Sequence, residues 1–191
     1  MNNNRAHHRY ELIRSKQHFC VPTVLKMIID SEGFEHISIE KISSFFTIYV
    51  PIDNNNKKKY SARTHDAKMI GAHINNGEIN NFLTKNNIPL REEYYSIFTL
   101  EEYAYANILD QEVSSRNHII CGYSFGKLFN KKDAESLGHV SLVLNIDGKF
   151  LTILNPGPDC SGETVVKIED MYSASKSASG GLWVLKGLEE F

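Results

Sequence analysis

The hydrophobic periodicity of this 191-residue chain changes once, near Asn117, and that change constrains the fold more than any other feature. Upstream, apolar residues recur at helical spacing. Val21, Val24, Leu25, Ile28 and Ile29 form an i, i+3, i+4, i+7, i+8 stripe. Pro22 is tolerated only in a first turn, so this helix begins close to Cys20, and Gly33 ends it. Ser38 and Lys41, with Ile39, Ile42, Phe45 and Phe46, predict a second short helix. Helices are also expected at about 76–86 and 100–113, the latter opened by Thr99 as N-cap with Glu102 completing a capping box. Downstream, short runs predict strands at His118–Tyr123, His139–Ile146, Phe150–Asn155 and Thr164–Ile168. A helix near 169–176 and a strand Gly181–Leu185 close the chain. Helices followed by an antiparallel sheet define an α+β domain. It is expected to span 11–191 as one unit behind a disordered tail, 1–10, with a mobile polar loop at 53–66.

Ten Phe and nine Tyr in a chain that is 41 % hydrophobic suffice for a real core. The net charge of −2 offers no electrostatic capture of nucleic acid, and Lys57-Lys58-Lys59 reads as part of a solvated loop. No apolar run approaches the ~20 residues a membrane-spanning helix needs. The first eight residues lack the apolar region of a signal peptide. Three cysteines are odd in number and too few for a disulfide framework, which fits a reducing cytoplasm. Delivery by a leaderless secretion route would leave the same signature.

Chemistry concentrates at three positions. A cysteine nucleophile needs help to become a thiolate near neutral pH, and a helix N-terminus supplies unpaired N–H groups and the positive end of a dipole. Cys20 stands at such a place. Alternatively it is a small core residue, as free cysteines often are. His139 opens a predicted strand, Gly138 to Leu144, and a second strand returns after Asp147-Gly148 to end at Asn155-Pro156. Whether His139 and Asn155 meet depends on the hairpin register. A two-residue Asp147-Gly148 loop pairs Val140 with Asn155 and separates them. A three-residue loop, Ile146-Asp147-Gly148, pairs His139 with Asn155. It also gathers Val140, Leu142, Leu144, Phe150, Thr152 and Leu154 on one face and leaves His139, Ser141, Asn145 and Asn155 on the other. That separation favours the three-residue register. Asn155 can then accept the imidazole N–H and fix its tautomer.

The helix opening Cys20-Val21-Pro22-Thr23-Val24-Leu25 resembles the cysteine motif of C39-like peptidases, a branch of the papain-like superfamily. Gly138-His139-Val140 on a strand, with a polar residue sixteen positions later before a proline, extends the resemblance over roughly 15–158. It departs from the family pattern at three points. Val21 replaces the usual Gly, and Asn155 stands where that branch more often has Asp. Arg14 occupies the position of the oxyanion-hole glutamine, and the nearest glutamine is Gln17.

The resemblance implies a papain-like α+β fold with N-terminal helices packed on a C-terminal antiparallel sheet. It further implies a Cys20–His139–Asn155 triad, with Gln17 as a candidate oxyanion donor, acting on a peptide or protein substrate. No cofactor, nucleic acid or membrane partner is implied. Relatives in that branch often trim leader peptides after paired small residues. The same triad would serve peptide hydrolysis, glutamine deamidation or acyl transfer, and an inactive binding protein could keep the shape. A metal site using His139 with Cys121 or Cys160 lacks any paired Cys-x-x-Cys or His-x-x-x-His spacing.

Overall fold

A computed structural model describes residues 10–51, 61–64, 71–72, 74, 77–132, 137–158 and 161–188. Helix α1, Cys20–Ser31, buries Val21, Val24, Leu25, Met27, Ile28 and Ile29, so the predicted stripe is the face turned inward. Gly33 follows with φ 83°, a left-handed conformation that costs glycine little. Helix α2, Ile39–Phe45, forms where expected, and the Ser38 hydroxyl caps it by accepting the Lys41 N–H. Helices α3, Glu78–Lys85, and α4, Glu102–Ser114, lie near their expected places.

The frame is a six-stranded, wholly antiparallel sheet ordered β4-β9-β5-β6-β7-β8. Its strands are β4 (Leu90–Ser96), β5 (His118–Ser124), β6 (Gly138–Asp147), β7 (Phe150–Asn155), β8 (Gly162–Lys167) and β9 (Gly181–Gly187). Helices α5, Phe125–Leu128, and α6, Ile168–Ser177, interrupt the strand succession. A second, three-stranded sheet joins β1 (Ile48–Pro51) to β2 (Ser61–Thr64) in parallel and to β3 (Gly71–Ala72) in antiparallel fashion. Helices with an antiparallel sheet make the chain α+β.

Both faces of the large sheet are covered. On one, Val140, Leu142, Leu154 and Leu185 pack under α1, α2 and α3. On the other, Cys121, Tyr123, Val143, Leu151 and Ile153 pack with Tyr105 and Leu109 of α4 and Met171 of α6. Among the described residues no helix is long and apolar enough to cross a membrane.

Four expectations need correction. Thr99 is not the cap of α4: it closes a 3₁₀ turn, Ile97–Thr99, and its hydroxyl donates to the Ser96 carbonyl. Glu101 takes the N-cap position without a side-chain cap. The 53–66 loop contains strand β2, while its residues 53–60, 65 and 66 lie outside the described residues, as do residues 1–9 of the expected tail and Lys57-Lys58-Lys59. Strand β4 was not foreseen, because Leu90-Arg91-Glu92-Glu93-Tyr94-Tyr95-Ser96 carries three charges in a row.

The fourth concerns the β6–β7 hairpin. Asp147 pairs with Phe150 across a two-residue Gly148-Lys149 turn, which neither considered loop contains. The register then shifts by one between Val143 and Asn145, so that Leu142 pairs with Leu154. The extra residue, Leu144, is a β-bulge, which restores the parity that a two-residue turn would otherwise have lost. His139 and Asn155 therefore share a face for a different reason from the one expected. That face is not polar, since Val143, Leu151 and Ile153 bury it against α4 and α6.

Candidate active site

The site forms where the N-terminus of α1 meets the start of β6. Tyr10 to Phe19 bring the chain to this point in an extended path. Ser15 N–H donates to the Pro156 carbonyl at 2.8 Å, Ile13 N–H points at the Met27 sulfur at 3.4 Å, and the Tyr10 hydroxyl bonds His118 Nδ1 at 2.8 Å. Phe19 is buried against Ile48 and Val50 and precedes the helix without offering a side-chain cap. The first-turn N–H groups therefore remain available near Cys20.

Cys20 is partly exposed at the rim of the core. Its sulfur lies among apolar groups, and burial pushes the thiol up. Main-chain N–H groups of Val140, Val21 and Cys20 itself act in the opposite direction by favouring the thiolate. Val140 belongs to β6, so this strand touches the Cys20 sulfur through its backbone while the preceding residue supplies the imidazole.

His139 Nε2 lies 2.8 Å from Asn155 Oδ1. The tautomer follows from the surroundings. Gly157 N–H donates to the same atom at 3.0 Å, which identifies it as the amide oxygen, an acceptor only. Nε2 must therefore carry the proton, leaving Nδ1 as the basic nitrogen. Asn155 is fully buried and His139 is 9 % exposed. Burial lowers the imidazole pKa to about 4, and the Asn155 bond recovers part of the loss. The thiol and imidazole are thus each driven toward the neutral form by the same cause, exclusion of water.

Cys20 and His139 line one cleft of about 630 Å³. Its far wall is the turn after α6, Ser177 to Gly180, backed by Gly122 of β5 and by Trp183, against which Tyr94 stacks at 5.0 Å between ring centroids. Two glycines make this packing possible. A Cβ on Gly180 would stand 2.1 Å from the Gly122 carbonyl oxygen, and one on Gly122 would stand 2.8 Å from the Trp183 ring. No carboxylate lines the cleft among the described residues.

Of the four residues singled out from sequence, Cys20, His139 and Asn155 come together. Gln17 does not line the cleft: it is exposed on the turn that precedes Phe19. Cys121 is fully buried beneath α4, with the Tyr105 hydroxyl 3.8 Å from its sulfur, and Cys160 lies outside the described residues. No group of three metal-ligating side chains occurs among the described residues. Sequence reasoning missed the place of Tyr94, Gly122, Gly180 and Trp183 in the cleft, because they come from three strands and a turn distant in sequence and carry no motif.

Comparison with solved structures identifies the architecture. A C39-like peptidase from Bacillus anthracis matches with a TM-score of 0.62 at 14 % identity, over 95 % of this chain and 96 % of that one. A double glycine motif protease from an AMS/PCAT transporter, solved in complex with the leader peptide, matches with a TM-score of 0.50 at 12 % identity over 96 % of each chain. No family model and no curated protein matches the sequence. The chain has the C39-like peptidase fold.

Proposed function

We propose that this protein is a papain-like cysteine peptidase acting through Cys20, His139 and Asn155. The observation that carries the reading is the His139 Nε2–Asn155 Oδ1 bond, placed in the same cleft as a cysteine at a helix N-terminus. His139 Nδ1 takes the thiol proton as the sulfur attacks a substrate carbonyl carbon. The resulting tetrahedral oxyanion is held by main-chain N–H groups at the start of α1. Collapse breaks the C–N bond, and the proton held on Nδ1 passes to the departing amine. Water then enters, loses a proton to His139 and releases the acyl group as a carboxylic acid. Asn155 orients the ring throughout.

Burial of both partners makes their separate ionisation costly. Transfer of the proton from sulfur to nitrogen creates two opposite charges side by side, whose attraction offsets part of that cost. A peptide or isopeptide bond is the substrate class that a fold shared with a leader-peptide protease suggests. Glutamine deamidation and acyl transfer use the same steps with a different leaving group or acceptor.

The second reading is a peptide-binding protein that has lost catalysis, and burial pushing the Cys20 thiol up favours it. Iodoacetamide alkylation separates the two. The peptidase reading expects Cys20 to label faster than Cys121 and Cys160 at pH 7 and to lose that advantage in His139→Ala. Equal labelling of the cysteines, independent of His139, would leave the binding reading. Gln17 is exposed outside the cleft, so Gln17→Ala should change turnover less than about threefold. Loss of a true oxyanion donor costs about 100-fold or more.

A further inference from the structure

We propose that Tyr123 and Phe125 are positioning residues that hold the His139 imidazole between two nearly perpendicular aromatic rings and keep its bond to Asn155 dry. The proposal rests on the reading of His139 as the base of the reaction. Tyr123 pairs directly with His139 across β5 and β6, and their ring centroids are 5.5 Å apart at 80°. Phe125 approaches the same imidazole at 5.3 Å and 76°. Perpendicular contacts of this kind are the preferred arrangement for aromatic quadrupoles and fix a ring plane as well as a position.

Neither aromatic is free to leave. The Tyr123 hydroxyl is hydrogen-bonded to Ser141 Oγ at 2.7 Å, inside the sheet face and away from solvent. Phe125 N–H donates to the Leu137 carbonyl at 3.0 Å, which ties the start of α5 to the residue two before His139. Phe129 backs Phe125 at 4.9 Å, and the Ser124 hydroxyl accepts the Lys127 N–H and closes the short helix. A ring that must offer Nδ1 to sulfur while Nε2 stays on Asn155 has one permitted plane. A misplacement of about 1 Å in such a group can cost 100-fold in rate. Among the described residues, the cleft that Cys20 shares with the imidazole is lined by no charged side chain, and the ring's own contacts are the Asn155 amide and the Tyr123 and Phe125 rings. Lys131 lies on the Phe125 ring, its Nζ 5.3 Å from that ring's centroid.

The test is NMR titration of histidine-labelled full-length protein, with the His139 signal assigned by its loss in His139→Ala. Phe125→Ala and Tyr123→Leu should raise the His139 midpoint by about one unit or more toward the ordinary value near 6.5, as water reaches the ring. The ¹⁵N shifts should show loss of the single Nε2–H tautomer. Alkylation of Cys20 at pH 7 should fall about tenfold, toward the His139→Ala rate. Tyr123→Phe keeps the ring and drops the hydroxyl, so it should restore the wild-type titration. Should Phe125→Ala fail to fold, Phe125→Val removes the aromatic ring, leaves part of its space open to water and gives the same readout. Folded variants whose His139 midpoint and tautomer stay at their wild-type values would overturn the proposal. A His139 that responds in a protein whose Cys20 labels no faster than Cys121 would keep this inference and sink the peptidase reading.

Discussion

Asn155 does more than orient an imidazole. Its Oδ1 satisfies two buried donors, His139 Nε2–H and Gly157 N–H, so Asn155→Ala strands both. That variant should lose about 2 kcal/mol of stability in urea titration, since each unsatisfied buried group costs about 1–3 kcal/mol. Labelling of Cys20 should slow with it. Acid sensitivity follows from His139. Its folded pKa of about 4 lies below the ordinary value of 6.5, so the unfolded chain binds a proton that the fold refuses. Stability is therefore full at neutral pH, declines as pH falls through 6.5 and levels off below about 4. This site alone should cost about 2 kcal/mol between pH 7 and pH 5. Asn155→Asp places a negative charge beside the ring, raises its pKa and should flatten that decline in thermal melts. Glu92 is the opposite case. It is 6 % exposed with Oε2 unpartnered, and burial raises its pKa. The carboxyl favours folding at low pH and loses that contribution as pH rises through the folded value. Glu92→Gln should therefore raise the melting temperature at pH 7 and have little effect at pH 3.

At the scale of elements, the β6–β7 hairpin decides whether a site exists. Leu144 is the residue that corrects strand parity after the Gly148-Lys149 turn. Deleting it forces a choice between a misfaced His139 and a misfaced core. The expected outcome is a protein with broadened unfolding and no accelerated alkylation of Cys20, and wild-type labelling would count against the parity argument. Gly180→Ala should also act on an element, by driving the α6–β9 turn away from Gly122, where the new Cβ would come within 2.1 Å of the carbonyl oxygen. The elements themselves were largely legible. Where one period runs unbroken, as in α1, the sequence names the buried face directly. The bulge was not legible, because no residue type compels one at Leu144. The correct neighbours were reached through a wrong loop, since two registers that differ by an even number present the same face. Strand β4 was hidden because its charges interrupt any apolar alternation and are answered only partly within the strand, where Arg91 pairs with Glu93 at 2.7 Å. Lys186 of β9 bonds Glu93 at 2.8 Å, and Asn80 of α3 holds the Glu92 backbone.

Over the whole molecule, the sheet edge opposite the hairpin is fastened by that same lysine. Lys186 Nζ reaches both Glu93 Oε2 and Glu112 Oε1, at 2.8 and 3.0 Å, joining β9, β4 and α4. The ammonium holds Glu93 below its usual range, so this contribution is present above the ordinary carboxylate pKa and disappears as pH falls. Lys186→Ala would leave Glu112 buried without its cation, a change that typically costs about 3–5 kcal/mol. It should lower the melting temperature without altering the His139 titration, which separates the scaffold from the site.

The Ser15 N–H···Pro156 O bond has a different consequence. It couples the segment five residues before Cys20 to the residue just after Asn155, and it does so through main chain alone. Almost any side chain at Ser15 would leave that tether intact. Together with the Val140 N–H at the sulfur, it sets the spacing of Cys20, His139 and Asn155 by contacts that substitution scarcely touches. A chain built this way can exchange most of its side chains and still hold Cys20 and Asn155 at the same separation.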